Sequence, residues 1–223
     1  MRNPAESRGG SPRPRRTTRA NGAATRNRVL EVATQAFAQS GYEGSSLRQI
    51  ATRAGIDLAT LKYHFGDKPA LFAEVYRLGQ QAFLRAIAPL VAALSRVQTS
   101  AELRTQLQTL VDDVYDYMSD NSPFLRITLF RLLEQPTEVI EQEARLQGDA
   151  IALVELALEH LRKRGIVRPV DLRGAVVLLI TALPTWFLCS QTKPQWLGDS
   201  ELADRERFST FFVDLLEKHL VVS

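Results

Sequence analysis

Apolar residues along this chain recur at helical spacing almost throughout, and no stretch shows the strict alternation of a half-buried strand. Val29, Val32, Ala33, Ala36 and Phe37 share one face and predict a helix over 26–39, ended by Ser40-Gly41. Leu47, Ile50, Ala51 and Ala54 predict a short second helix. Ser46 precedes it and Gln49 follows three residues later, the spacing of a capping box. Gly55 suits the left-handed backbone that ends a helix. Asp57 is placed to cap a third helix. In that helix Leu58 and Leu61 face inward, while Ala59, Thr60, Lys62 and Tyr63 face outward. Ile56 and Leu61 have the spacing of a hydrophobic staple. Two short helices about a glycine turn are the grammar of a helix–turn–helix.

Helices also account for the rest of the pattern. Asp67 caps a helix starting at Lys68, with Pro69 in its first turn. Leu71, Phe72, Val75, Tyr76 and Phe83 carry its stripe toward Pro89. Leu103, Leu107, Leu110, Val111 and Val114 predict a helix over 101–119. Pro123 opens one over 124–134, and Pro136 opens another that closes on Arg162-Lys163-Arg164-Gly165. Asp171 caps a strongly apolar helix over 171–190, and Phe208, Phe211, Phe212, Leu215 and Leu216 mark a last one within 201–220. The expected fold is all-α: a three-helix head at 25–71 and a larger helical domain at 72–223. Residues 174–190 are uncharged, but fall short of the roughly 18 apolar residues of a span and include Thr181, Pro184 and Thr185. They read as a buried helix, so no membrane is expected.

Composition narrows the chemistry. The chain has 223 residues, is 45% hydrophobic and holds one cysteine, Cys189, so no internal disulfide can form and a cytoplasmic location fits. His64, His160 and His219 stand alone in the sequence, and no Cys/His spacing suggests a metal. No nucleophile elbow or phosphate-binding glycine loop is present. Neither an enzyme nor a cofactor is expected. The net charge of +3 is unevenly spread: residues 1–24 hold six arginines against Glu6 alone, and residues 25–71 hold six basic against four acidic groups. The remainder is net acidic. Residues 1–24 are rich in Gly, Pro, Ser and Arg without apolar periodicity and read as a disordered tail, either solubilising or a DNA-contacting arm. Positive charge beside a recognition helix is what phosphate binding requires. The outward groups of the third helix fit the major groove, where Thr, Lys and Ala meet base edges and the thymine methyl. By pattern alone, a small solvated helix fits them equally.

A resemblance favours the first reading. VLEVATQAFAQSGYEGSSLRQIATRAG at 29–55 and TLKYHFGDKPAL at 60–71 resemble the DNA-binding domain of the TetR family of bacterial transcriptional regulators. The shared parts are Phe37, then Gly41-Tyr42, the Ser45-Ser46 pair, Ile-Ala, Ala-Gly, and Tyr-His-Phe followed by Lys. Lys62 and Pro69 depart from the family pattern, where Tyr and Glu or Arg are usual. The resemblance implies a homodimeric repressor of a palindromic double-stranded DNA operator, released by a small-molecule effector. It implies base contacts from Arg48, Thr60, Lys62 and Tyr63, and phosphate contacts from Tyr42, Ser46, His64 and Lys68. It also places the dimer interface on 171–190 and 200–220.

An effector site is expected in the larger domain, which holds most aromatic residues and both tryptophans, Trp186 and Trp196. Phe83, Tyr117, Met118, Phe124, Phe130, Trp186 and Phe187 are the candidate lining residues, with the ligand near Trp186. Arg126 and Arg131 could pair an anionic ligand or reach solvent. The alternatives are an architectural or cell-division DNA-binding factor without an inducer, and a helical interaction scaffold.

Overall fold

A computed structural model describes residues 16–133, 140–193 and 204–222. Its order is α1 (Arg16–Ser40), α2 (Leu47–Arg53), α3 (Leu58–Phe65), α4 (Lys68–Leu94), α5 (Ser100–Asp120), α6 (Ser122–Leu133), α7 (Ile140–Lys163), α8 (Leu172–Thr192) and α9 (Arg205–Leu220). Among the described residues there is no strand, only an isolated bridge between Val167 and Val221. Pro136 and Trp196 lie outside the described residues.

Two apolar cores organise these helices. The head core joins Val29, Ala33 and Phe37 of α1, Ile50 of α2, Leu61 and Phe65 of α3, and Leu71, Phe72, Val75 and Tyr76 of α4. Phe124 and Ile127 of α6 complete it. The body core gathers the far end of α4 (Val91, Leu94) with α5, α7, α8 and α9. Helix α4 therefore runs unbroken from one core into the other. Phe124 belongs to the head core and Leu125, its neighbour, to the body core.

The head admits no spare volume at this junction. Phe124 lies 5.7 Å from Tyr76 between ring centroids. A Cβ on Gly79 would sit 2.2 Å from the Phe124 ring. Glycine is what permits the two helices to approach this closely.

Three expectations change. Residues 16–24 are helical, part of α1, rather than disordered. Adding residues to an existing helix needs no new nucleus, and Arg19, Ala20, Ala23 and Ala24 are good helix formers. Helix α4 passes through Pro89 to Leu94. Pro89 is exposed, and Val91 and Leu94 continue the buried stripe beyond it. Helix α8 is not a buried helix: Leu178 is 65% exposed and Val177 41%. Its apolar residues run all round, while the chain covers only one side.

Candidate nucleic-acid interface and body cavity

The helix–turn–helix is built by its caps. The Ser46 hydroxyl accepts the Gln49 N–H at 3.3 Å and donates to Gln49 Oε1 at 2.9 Å. The Gln49 side chain thus returns to the Ser46 hydroxyl rather than to its backbone. Ile56 N–H donates to Ala51 O and Gly55 N–H to Thr52 O, with Gly55 at φ +66°. Those paired bonds satisfy the last carbonyls of α2 and turn the chain sharply. Asp57 accepts the Thr60 N–H at 2.6 Å and starts α3. That bond, with one from the Thr60 hydroxyl, holds the Asp57 carboxyl below the usual range.

This frame sorts the candidate DNA contacts into two groups. Tyr63 stands 86% exposed on α3 beside exposed Lys62, and Arg48 is exposed on α2. Neither the Lys62 ammonium nor the Arg48 guanidinium has an ionic or hydrogen-bond partner among the described residues. The others are already engaged. Thr60 donates its hydroxyl to Asp57 at 3.1 Å. His64 lies edge-on to Tyr63 at 5.3 Å. Lys68 holds its ammonium 4.2 Å above the ring of Tyr42, which in turn packs edge-on against Phe72 at 5.1 Å. The cation–π contact fixes Lys68 at the start of α4. Ser46 is occupied by its cap.

Arg26 does not project freely toward a phosphate. Its guanidinium donates to Glu74 at 2.5 Å and lies 5.1 Å from the Phe65 ring centroid. Arg77 grips the same carboxylate at 2.8 and 2.9 Å. The hydrogen bonds from Arg77, then Arg26, bring the Glu74 pKa down to about 2 against the resistance of burial. This cluster ties α1 to α4.

The body contains a cavity of about 150 Å³ between α4, α5, α7, α8 and α9. Phe83, Tyr117 and Met118 line it, together with Ile87, Leu110, Val154, Leu179 and Leu183 among others. The remaining expected residues do not. Phe124 faces the head core. Phe187 packs edge-on against Tyr115 at 5.4 Å in the body core. Trp186 stacks on Phe211 at 5.7 Å, joining α8 to α9. Phe130 is half-buried away from the cavity, and neither Arg126 nor Arg131 lines it. Most of the wall is aliphatic, and nothing in an aliphatic helical stripe separates a cavity wall from ordinary core. The Tyr117 hydroxyl is buried with no hydrogen-bond partner among the described residues, and burial raises its pKa to about 12. No group of His, Cys, Asp or Glu suited to a metal occurs among the described residues.

Comparison with known proteins bears on both regions. The family of bacterial regulatory proteins named tetR matches residues 29–75. The regulator AcrR of Shigella flexneri is 37% identical over 65 residues, covering 29% of this chain and 30% of that protein. The repressor BepR of Brucella suis is 27% identical over 157 residues, 67% of this chain and 72% of that protein. The crystal structure of the TetR family regulator PfmR from Thermus thermophilus superposes with a TM-score of 0.65 at 22% identity, covering 89% of this chain and 98% of that one. The matched stretch is thus under a third of AcrR's own length, while the likeness in fold reaches across nearly the whole chain.

Proposed function

We propose that this chain, whose residues 29–75 match the family of bacterial regulatory proteins named tetR, is a dimeric, effector-responsive repressor acting on operator DNA in the cytoplasm. The observation that carries this reading is the continuous helix α4, which supplies Lys68 to the head surface and Phe83, Ile87 and Val91 to the cavity wall. A ligand that fits the cavity better in one disposition of α4 shifts the dimer toward that disposition. Helix α6 offers a second link, with Phe124 in the head and Leu125 at the cavity.

The proposed DNA face is α3, with Lys62 and Tyr63 reading bases, and Arg48 beside them on α2. Lys68 and Tyr42 would hold a phosphate at the start of α4. Thr60 and Ser46 would shape their helices and meet DNA only alongside their caps. The proposed dimer interface is the apolar surface of α8 and α9, where Val177, Leu178, Phe211 and Leu215 are exposed. Helix α8 is long and apolar enough to cross a membrane by length and composition. Exposed apolar residues on the neighbouring amphipathic α9, and charges at Arg173 and Lys193, favour a second copy of the chain as the cover instead.

The test is binding to the DNA upstream of the protein's own gene, followed by anisotropy across a salt series, with sedimentation of the same samples. Two chains per complex are expected. Lys68→Ala should weaken binding to all sequences alike and flatten the salt slope by roughly one unit per subunit. Lys62→Tyr should change the preferred sequence, at about 1–3 kcal/mol per altered base contact. A monomer, or an unchanged preference after selection on random DNA, would refute the corresponding part.

A further inference from the structure

Helix α3 is only eight residues long, and its backbone lies closest to α2. Its setting against the rest of the head depends on two side chains one turn apart, Leu61 and Phe65, both buried in the head core. Lys62 and Tyr63 project outward between those anchors. Leu61 is enclosed completely. Phe65 is the last residue of the helix, and Gly66 after it turns away at φ +78°. The far end of α3 is therefore held by the Phe65 ring, and the Arg26 guanidinium lies over that ring at 5.1 Å from its centroid.

Arg26 is itself aimed. Glu74 of α4 accepts from it at 2.5 Å, and Arg77 holds the same carboxylate through two hydrogen bonds. One residue of α1 thus touches both the end of α3 and the side of α4. A guanidinium can do both, because it stacks by its flat face and donates from its edge, whereas an ammonium is a compact point charge.

We infer that Arg26 is a positioning residue for the recognition helix: held by Glu74, it closes over Phe65 and fixes the setting of α3, and with it the aim of Lys62 and Tyr63, without touching DNA. This rests on the DNA-binding reading above and deepens it.

Arg26→Lys separates the possibilities, because it keeps the charge and loses the flat cover. The first measurement is amide hydrogen exchange in the full chain without DNA. Exchange of the Gly66 N–H, which donates to Lys62 O at the end of α3, should quicken about 2- to 5-fold, the range of an exposed cation–π contact. Exchange of the Ile56 N–H at the preceding turn should not change, which also shows that the head is folded. The second measurement is anisotropy on two duplexes, one selected from random DNA by the parent protein and one a scramble of it. Affinity for the selected duplex should fall about 2- to 5-fold. Affinity for the scramble and the salt slope should stay as they were, since phosphate contacts carry both. In a Glu74→Gln background the loss should be smaller, because Arg26 is then no longer aimed. Unchanged exchange at Gly66 would overturn the hold on α3. A harmless Arg26→Lys, beside an Arg26→Gln that weakens both duplexes alike and flattens the salt slope by roughly one unit per subunit, would make Arg26 a phosphate contact instead. Faster exchange with both affinities unchanged would reduce Arg26 to a stabilising role and overturn its part in aiming Lys62 and Tyr63. If no duplex is selected, the DNA-binding reading fails, and exchange at Gly66 still decides whether Arg26 holds α3.

Discussion

At Gly79 the head has no room for a methyl group, because the Phe124 ring occupies the space. About one to three turns further along the same helix, Phe83, Ile87 and Val91 border a void of about 150 Å³. The two cores are made from similar apolar residues and differ in how completely they are filled. Close packing holds a surface in one shape, and the head presents Lys62 and Tyr63 from such a base. A void forfeits contacts on the side facing it and so leaves stabilisation for a ligand to supply. The difference assigns rigidity to the proposed DNA-reading head and adaptability to the proposed sensing body.

The sharpest way to break this contrast is to add one carbon to the head. Gly79→Ala should destabilise the protein by about 1–3 kcal/mol, the usual range for overpacking. Urea unfolding would measure it. Combined with Phe124→Leu, which withdraws the ring, the loss should be smaller than the sum of the two single changes. An unchanged midpoint for Gly79→Ala would mean that the junction yields easily, and the head would then be no tighter than the body.

A smaller effect is expected where α1 meets α4. The Glu74 pKa is depressed, to about 2, by hydrogen bonds from Arg77 and Arg26. Its contribution is therefore complete above the ordinary carboxylate value near 4.5 and is lost as pH falls through about 2. Both arginines are partly exposed, so screening leaves Glu74→Gln a cost of only about 1 kcal/mol at neutral pH. That gap should narrow below pH 4.5 and close near pH 2. A gap that persists undiminished in acid would show that packing at this seam, not ionisation, carries the difference.

What the sequence disclosed differs between the two regions for a physical reason. The caps at Ser46 and Asp57 and the turn at Gly55 act within a few residues, so their signals lie side by side in the chain. The all-helical architecture follows from periodicity in the same way. The helical state of residues 16–24 was hidden because propagation from a formed helix overrides the weak local preferences of Thr17, Asn21 and Gly22. The side of α6 that each residue faces was hidden too. Phe124 and Leu125 are both apolar, and only packing by α1 and α4 decides that the larger one enters the head. The cavity was harder still. Aromatic residues suggested its position, but Val176, Leu179 and Leu183 look in sequence like any other core residues. Trp186, the natural optical reporter, packs on the body core and stacks on Phe211 between α8 and α9, with its Nε1 buried and without a hydrogen-bond partner among the described residues.

The smallest expected effect has the opposite sign and tests the body directly. Val176 is 1% exposed and borders the cavity. Val176→Ile adds one methylene and keeps the branched Cβ, so the preferred helical rotamer is retained. If the space is open to the core, the ligand-free protein should gain up to about 0.8 kcal/mol, the value of one buried methylene. The same added volume should weaken an effector bound in the cavity, because ligand and side chain compete for one space. Stability in the ligand's presence should then rise less for Val176→Ile than for the parent as ligand is added, since the increment follows affinity. A loss instead of a gain in the ligand-free state would show that the body resists an extra carbon as the head does at Gly79. The two cores would then differ in outline but not in compliance, and sensing would have to arise from relative movement of α4 and α6 rather than from unfilled volume.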